Sequence, residues 1–221
     1  MVNASGILRI HATRFAEALQ SARLQFDEGG ETIREALALF EEMWPNLRLA
    51  QAWAASAAAT DNEAARICSS MALNGVVFLQ LRRPSAVQIQ WHSAALDGAR
   101  RLGDRSAEAH HLGNLGIAYK NAGDVRRALH FHEEQLALAN DGTDPRVKTR
   151  SLINLATIYQ ILGQIPRAIE CYEVGLSSAK DLGERRATGA ALAGLGSIYL
   201  QLGETERAIT YYEPVSYTHL R

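Results

Sequence analysis

Apolar residues in the C-terminal half of the chain recur at spacings of three and four, the period of one face of an α-helix. Leu115 and Tyr119 belong to a first stripe, and Leu136 and Ala139 belong to a second. Gly123 lies between the stripes and is expected to end the first helix, because glycine adopts the left-handed conformation without a Cβ clash. The pattern predicts two helices, A and B, joined by a short turn.

This pair of stripes is repeated with a period of 40 residues. The coinciding positions are Leu115, Leu155 and Leu195; Tyr119, Tyr159 and Tyr199; Gly123, Gly163 and Gly203; Ala128, Ala168 and Ala208; and Glu133, Glu173 and Glu213. A fixed period of this length is typical of stacked repeat architectures. It predicts an all-α, right-handed superhelical solenoid of antiparallel helix pairs.

The repeated positions resemble the tetratricopeptide repeat. Leu115, Gly116, Tyr119, Gly123 and Ala128 lie where that family has its L-G-x-x-Y motif, its glycine and its alanine. The common repeat has about 34 residues, whereas the period here is 40 because helix B is longer. The longer form is similar to the repeats of kinesin light chains, Pins-type scaffolds and bacterial signalling ATPases. The resemblance implies a protein-binding or peptide-binding module.

A degenerate copy is expected one period earlier, at 63–104, with helices near 63–81 and 86–101. Arg83 and Pro84 replace its glycine turn. The three clearer repeats then occupy 105–213, with the third truncated. The N-terminal segment 1–62 is expected to form helices at 12–26, 31–43 and 46–58. Trp44–Pro45 is expected to separate the last two, since a residue before proline avoids the α region.

Part of the N-terminal segment resembles the helical stretch that follows the nucleotide-binding module of bacterial STAND-class ATPases. The residues that carry this resemblance are Phe40, Glu42, Asn46, Leu47, Arg48, Ala50, Trp53 and Ala54. It implies that an ATPase module lies upstream of Met1, since the chain contains no GxxxxGK[ST] phosphate loop. The alternative is that these helices only cap the repeats.

Composition narrows the function further. The 221 residues carry a net charge of −1 without long runs of like charge, which does not favour nucleic-acid or membrane-surface binding. The sequence shows no secretory h-region or long apolar span, so we expect a cytoplasmic protein. Cys68 and Cys171 are far apart and form no metal-binding or disulfide pattern.

Motifs of catalysis and metal binding are missing from the sequence, which has no HExxH, GxSxG or CxxC. We therefore expect no enzymatic activity, cofactor or metal in this segment. His132 is expected to pack where Tyr172 and Tyr212 pack. Cys171 replaces Phe131 and Tyr211, and is interpreted as a buried filler rather than a nucleophile.

The A helices of solenoids line the concave surface, which is their usual binding face. The resemblance places eight residues in this groove: His110, Asn114, Ile117, Asn121, Arg150, Asn154, Thr157 and Ser197. In the resembled families, asparagine at the positions of Asn114 and Asn154 binds the backbone of an extended peptide. The third repeat has Gly194 there. The alternative is that both asparagines only satisfy neighbouring backbone.

The end of the third repeat departs from the pattern. "PVSYTHLR" replaces the expected helix B sequence and places Pro214 inside the helix, which costs about 3 kcal/mol. Residues 215–221 resemble a translated sequencing-library adapter, so 214–221 is expected to be non-native and the chain to be a metagenomic fragment.

The sequence therefore predicts a non-enzymatic repeat module that binds a protein or peptide in its groove. Its expected parent is a larger bacterial signalling protein, a STAND-type ATPase or transcriptional regulator. The alternatives are a free-standing scaffold and an accessory array of an enzyme whose catalytic domain lies elsewhere.

Overall fold

The computed structural model describes the backbone of residues 4–140, 142 and 144–218, and side chains between Ser5 and Glu213. This part of the chain folds into eleven α-helices and contains no strand, which confirms the predicted all-α class. The helices divide into two compact units, of which unit 1 ends at Ala118 and unit 2 begins at Tyr119.

Unit 1 is built from long helices followed by a broken one. Its helices are α1 (Ala4–Glu28), α2 (Thr32–Ala57), α3 (Asn62–Asn74), α4 (Val76–Arg82), α5 (Ser85–Leu102) and most of α6 (Arg105–Asn121). Helix α3 packs against α1, α2 and α5. The resulting core contains Phe40, Leu47, Met71, Phe78 and Trp91, all buried.

The predicted break at Trp44–Pro45 is wrong, because α2 runs unbroken from Thr32 to Ala57 with Pro45 inside it. Proline within a helix removes a backbone hydrogen bond and costs about 3 kcal/mol or more. Phe40 and Leu47, on either side of Pro45, are fully buried in the core of unit 1. Burial of this face offsets the local penalty, so tertiary packing overrides the preference of the residue before proline.

The prediction of a single helix near 63–81 is also wrong. Gly75 separates α3 from α4, and the two helices are bent by 55°. A Cβ added at Gly75 would lie 2.8 Å from the Met71 carbonyl oxygen and within 4 Å of Leu19 and Trp91. The bend directs Phe78 and Leu79 into the core. The helix predicted near 86–101 is confirmed by α5.

Unit 2 begins with the last residues of α6 and continues with helices that alternate between B and A positions. They are α7 (Val125–Asn140), α8 (Pro145–Ile161), α9 (Ile165–Asp181), α10 (Arg185–Gln201) and α11 (Thr205–Thr218). Each helix packs against the next one, and the A helices α8 and α10 also contact each other. This stacking is typical of a helical solenoid.

The turns within the repeats follow the sequence prediction. Gly123, Gly163 and Gly203 have φ between 72° and 83°. At each turn the following N–H, that of Asp124, Gln164 or Glu204, donates to the carbonyl of the repeated tyrosine five residues earlier at 2.8–2.9 Å. These bonds satisfy carbonyls at the end of helix A, as a left-handed glycine allows.

Ala156 and Ala168 are fully buried where the A and B helices meet, and Ala208 is nearly so. The backbone of α11 continues past Pro214 to Thr218. The side chains of the segment predicted to be non-native, 214–221, lie outside the described residues.

No single described helix is long and apolar enough to cross a membrane. The bent pair of α3 and α4 reaches that length and hydropathy only when its two helices are taken together. Most apolar side chains of this pair are buried in the core of unit 1.

Candidate peptide-binding face

Four of the predicted groove residues lie on the A helices of unit 2. Arg150, Asn154 and Thr157 follow one another on α8 at spacings of four and three, which places them on one helix face. Arg150 is exposed, whereas Asn154 and Thr157 are half-buried. Ser197 of α10 occupies the repeat position of Thr157 and is also half-buried. The structure therefore brings these four residues to adjacent A helices.

The Asn154 side-chain amide makes no hydrogen bond to any described residue. The same is true of Asn114, the equivalent residue on the unit 1 part of α6. Both side chains are half-buried. In the described part of the chain, neither amide is hydrogen-bonded to neighbouring backbone. Each amide keeps two donors and an acceptor for another partner.

Thr157 has a different role from Asn154. Its hydroxyl donates to the Ile153 carbonyl at 3.1 Å and lies 3.0 Å from the Tyr172 hydroxyl. Tyr172 belongs to the B helix α9 and is 3% exposed. Thr157 thus holds the Tyr172 ring in place and is not a vacant hydrogen-bonding group.

Gly194 takes the place of Asn114 and Asn154 in the third repeat because the Tyr172 ring occupies the space. A Cβ at Gly194 would overlap that ring. Helix α10 therefore has no side chain at this position, and the row of amides ends at α8.

Gln160 was not predicted as a face residue. Its Nε2 donates to Ser197 Oγ and to Gln201 Oε1, both at 3.3 Å, and so joins α8 to α10. Lys120 and Leu200 occupy the same repeat position, so no repeated residue type in the sequence indicated this bond.

The A helices of unit 2 are more basic than the intervening B helix. Helix α8 contains three basic residues and α10 contains two, and neither contains an acidic residue. Helix α9 contains Glu170, Glu173 and Asp181 against two basic residues. Arg146 pairs with Glu184 at 2.9 Å. Each of the two A helices therefore carries a net positive charge, part of which is paired within the chain.

The remaining predicted residues are on α6. His110, Asn114 and Ile117 belong to unit 1 and are half-buried, while Asn121 belongs to unit 2 and is exposed. His110 Nδ1 is 2.8 Å from the Ser106 carbonyl oxygen, one turn earlier.

The buried histidines serve packing in both units. His132 is 1% exposed in α7, and burial is the main cause that lowers its pKa to about 4. In unit 1, His111 Nε2 lies 2.8 Å from Ser69 Oγ, and His111 Nδ1 lies 3.2 Å from His92 Nδ1. Burial lowers the pKa of both histidines of this pair. The described residues include no cluster of three metal-ligating side chains.

An aromatic stack on the repeated tyrosine was not predicted. Phe131 stacks on Tyr119 with ring centroids 5.3 Å apart, and Tyr211 stacks on Tyr199 at 5.4 Å. In each repeat an arginine lies over the tyrosine: Arg127 over Tyr119, Arg167 over Tyr159 and Arg207 over Tyr199.

The middle repeat has Cys171 where the other repeats have the stacking ring. A cavity of about 260 Å³ lies beside Tyr159, Arg167 and Cys171. Cys171 is half-buried rather than buried as expected. Burial is the main cause that raises the pKa of its thiol, which disfavours the reactive thiolate.

Two family models, both described as tetratricopeptide repeat, match residues 112–146 and 148–213. No match to the chain is found among curated protein sequences. The repeats of these families are protein-interaction modules.

Many solved structures are similar in fold, among them the following three. A putative kinesin light chain from Podosopora anserina with nearly identical TPR-like repeats has a TM-score of 0.61 at 17% identity, over 94% of this chain and 95% of that one. RapI in its apo form has a TM-score of 0.67 at 12% identity, over 98% and 66% of the two chains.

The third is a STAND protein with a tetratricopeptide repeat sensor from Pyrococcus horikoshii, with a TM-score of 0.63 at 18% identity. The match covers 84% of this chain but only 30% of that protein. Likeness at these identities concerns the fold alone. The two matching family models identify residues 112–146 and 148–213 as tetratricopeptide repeats.

Proposed function

We propose that this chain binds an extended, acidic segment of a partner protein along the A helices α8 and α10 of unit 2. The observation that carries this proposal is the Asn154 amide, which is half-buried and makes no hydrogen bond to the described residues. A group in this position is partly desolvated, so pairing it with a ligand recovers hydrogen bonds at little further desolvation cost.

A peptide backbone suits Asn154 because each peptide unit offers one donor and one acceptor, as the side-chain amide does. An extended peptide keeps both groups available, whereas a helix uses them internally. Ser197 and the Gln160 amide continue the polar surface towards α10. The Tyr172 ring packs against Gly194, so α10 has no side chain at the repeat position of Asn154.

The acidic character of the ligand is inferred from charge. The two A helices contain basic residues but no acidic ones, and Arg150 is exposed beside Asn154. Arginine binds carboxylates in a bidentate geometry. We therefore expect aspartate or glutamate in the ligand near Arg150.

The proposal is tested with an array of acidic dodecapeptides and their Lys-substituted counterparts, probed with the intact chain. The best binder is then titrated against variants. Asn154→Ala should weaken binding several-fold, since a net hydrogen bond contributes about 0.5–1.5 kcal/mol. Arg150→Ala should weaken it by up to about 3 kcal/mol, and this effect should shrink as salt rises.

Arg126→Ala and Glu170→Ala are the matched controls, because both residues are exposed on B helices. Circular dichroism should show unchanged helicity in all four variants. If the B-helix changes weaken binding and the α8 changes do not, the interface lies on the other face and the proposal is wrong.

We further propose that the chain is the repeat region of a larger bacterial signalling protein of STAND type. Two observations support this: the resemblance of the Phe40–Ala54 region to STAND proteins, and the fold likeness to the STAND protein with a repeat sensor. Sequencing the genomic region upstream of the Met1 codon tests it. A phosphate-binding loop there supports this parent, whereas a complete gene without one favours a free-standing scaffold.

A further inference from the structure

A cavity of about 840 Å³ opens between α2 and α5 in unit 1. Its walls are mostly apolar, and they include Trp44, Leu49 and Ala55 of α2 and Val87, Trp91 and Ala94 of α5. None of its lining residues belongs to α1 or α3. A volume of this size lies within the range of small-molecule pockets, about 300–1,000 Å³.

The aromatic wall of the cavity is held rigidly. Trp44 stacks on Trp91 with centroids 5.7 Å apart and an angle of 17° between the rings. The Arg83 guanidinium lies 4.1 Å from the Trp44 ring centroid. Arg83 also pairs with Glu41 at 2.6 Å. A preformed wall of this kind lowers the entropic cost of binding a ligand.

The charged groups of the cavity are cationic. Arg48 and Arg83 line it, and no acidic residue does so among the described residues. Arg83 pairs with Glu41 at 2.6 Å, and Glu41 also lies 4.0 Å from Arg82. Arg48 is exposed and has no ion-pair or hydrogen-bond partner in the described part of the chain. Arg48 is therefore the lining cation without an ion-pair partner among the described residues.

We propose that this cavity is a binding site for a small organic anion with an apolar body. The anionic group pairs with Arg48, and the apolar body lies between the Trp44–Trp91 wall and the alanines of α2 and α5. This site is separate from the proposed peptide-binding face, because all its residues belong to unit 1.

The apolar helix of a partner protein is the competing occupant. It would cover the Arg48 charge without supplying a partner, and burying an unpaired charge is costly. The observations thus favour the amphipathic anion.

Two dyes with the same apolar body provide the test. 8-Anilinonaphthalene-1-sulfonate carries the anion, and N-phenyl-1-naphthylamine lacks it. Each is titrated into the intact chain at low salt, with quenching of tryptophan fluorescence as the signal, since all three tryptophans, Trp44, Trp53 and Trp91, lie in unit 1. Competition with decanoate then determines whether an alkyl carboxylate binds at the same site.

We expect one saturable site for the anionic dye. Arg48→Gln should weaken binding of the anionic dye about ten-fold, the usual effect of losing a charge-assisted contact. The affinity for the neutral dye should change less than two-fold. Arg34→Gln is the matched control, an exposed arginine on α2 away from the cavity. Leu49→Glu, at a 62% exposed position on the cavity wall, should weaken binding of the anionic dye without disturbing the fold.

The proposal is overturned if the anionic dye shows no saturable binding, or if Arg48→Gln and Arg34→Gln behave alike. Equal binding of the two dyes, with Leu49→Glu weakening both, would instead indicate a groove for an apolar partner helix and would also overturn it. Loss of dye binding with the peptide affinity intact would separate this site from the proposed peptide-binding face.

Discussion

Unit 1 and unit 2 place their aromatic side chains in different ways. Unit 1 gathers Phe26, Phe40 and Phe78 into one core cluster, in which Phe40 and Phe78 stack at 4.9 Å. Unit 2 repeats one small arrangement, a tyrosine under an arginine, in every repeat. The structure of a unit built from equivalent local contacts can be predicted from the period of its sequence. A single aromatic cluster depends instead on contacts between distant segments of the chain.

The buried histidines make this difference measurable through pH. Unit 1 holds the His92–His111 pair and unit 2 holds His132, and burial lowers the pKa of all three. Between the folded pKa values and the ordinary value near 6.5, the unfolded chain therefore binds more protons than the folded chain. The stability that depends on neutral histidines is fully present above about pH 6.5 and is lost as the pH falls towards the folded pKa values. Each histidine that stays neutral in the folded state should lower the free energy of unfolding by about 2 kcal/mol at pH 5 relative to pH 8.

Urea unfolding at pH 8 and pH 5 measures this effect, and hydrogen exchange assigns it to each unit. We expect the larger loss in unit 1, because it contains two of the three histidines. His132→Tyr is the control, since Tyr172 and Tyr212 occupy the equivalent positions. If this variant removed the whole pH dependence, the unit 1 pair would not titrate as proposed.

The contact between Tyr172 and Gly194 tests the repeat register in unit 2. Gly194→Ala places a methyl group against the Tyr172 ring and should destabilise by about 1–3 kcal/mol through overpacking, despite the higher helix propensity of alanine. The urea midpoint measures the change. Tyr172→His, which introduces the residue of the first repeat, should relieve most of it in the double variant. A Gly194→Ala variant of unchanged or raised stability would contradict the packing of α9 on α10.

The smallest expected effect is a gain in stability at the middle repeat. Cys171→Tyr should place a ring on Tyr159, as Phe131 and Tyr211 do on Tyr119 and Tyr199. An aromatic pair contributes about 0.5–1.5 kcal/mol, so the urea midpoint should rise. Cys171→Ser is the control for loss of the thiol. A lower midpoint for the tyrosine variant would mean that the cavity beside Tyr159 does not accept a ring.

The candidate site shows how far the repeat could guide prediction. The register placed Arg150, Asn154, Thr157 and Ser197 on adjacent A helices, because residues at equivalent positions of a stacked repeat face the same way. It did not separate the unpaired Asn154 amide from Thr157, whose hydroxyl is bonded internally. It also missed Gln160, since a hydrogen bond between neighbouring repeats needs no repeated residue type.

The sequence by itself determined the helix pairs of residues 105–213, because their apolar period and turn glycines are local signals repeated at a fixed distance. Only the tertiary structure decided that α2 continues through Pro45 and that the chain bends at Gly75. In both places the local preference amounts to a few kcal/mol. Burial of Phe40, Leu47 and Phe78 against distant segments exceeds it. That balance is set by contacts far apart in the chain, which no local pattern specifies.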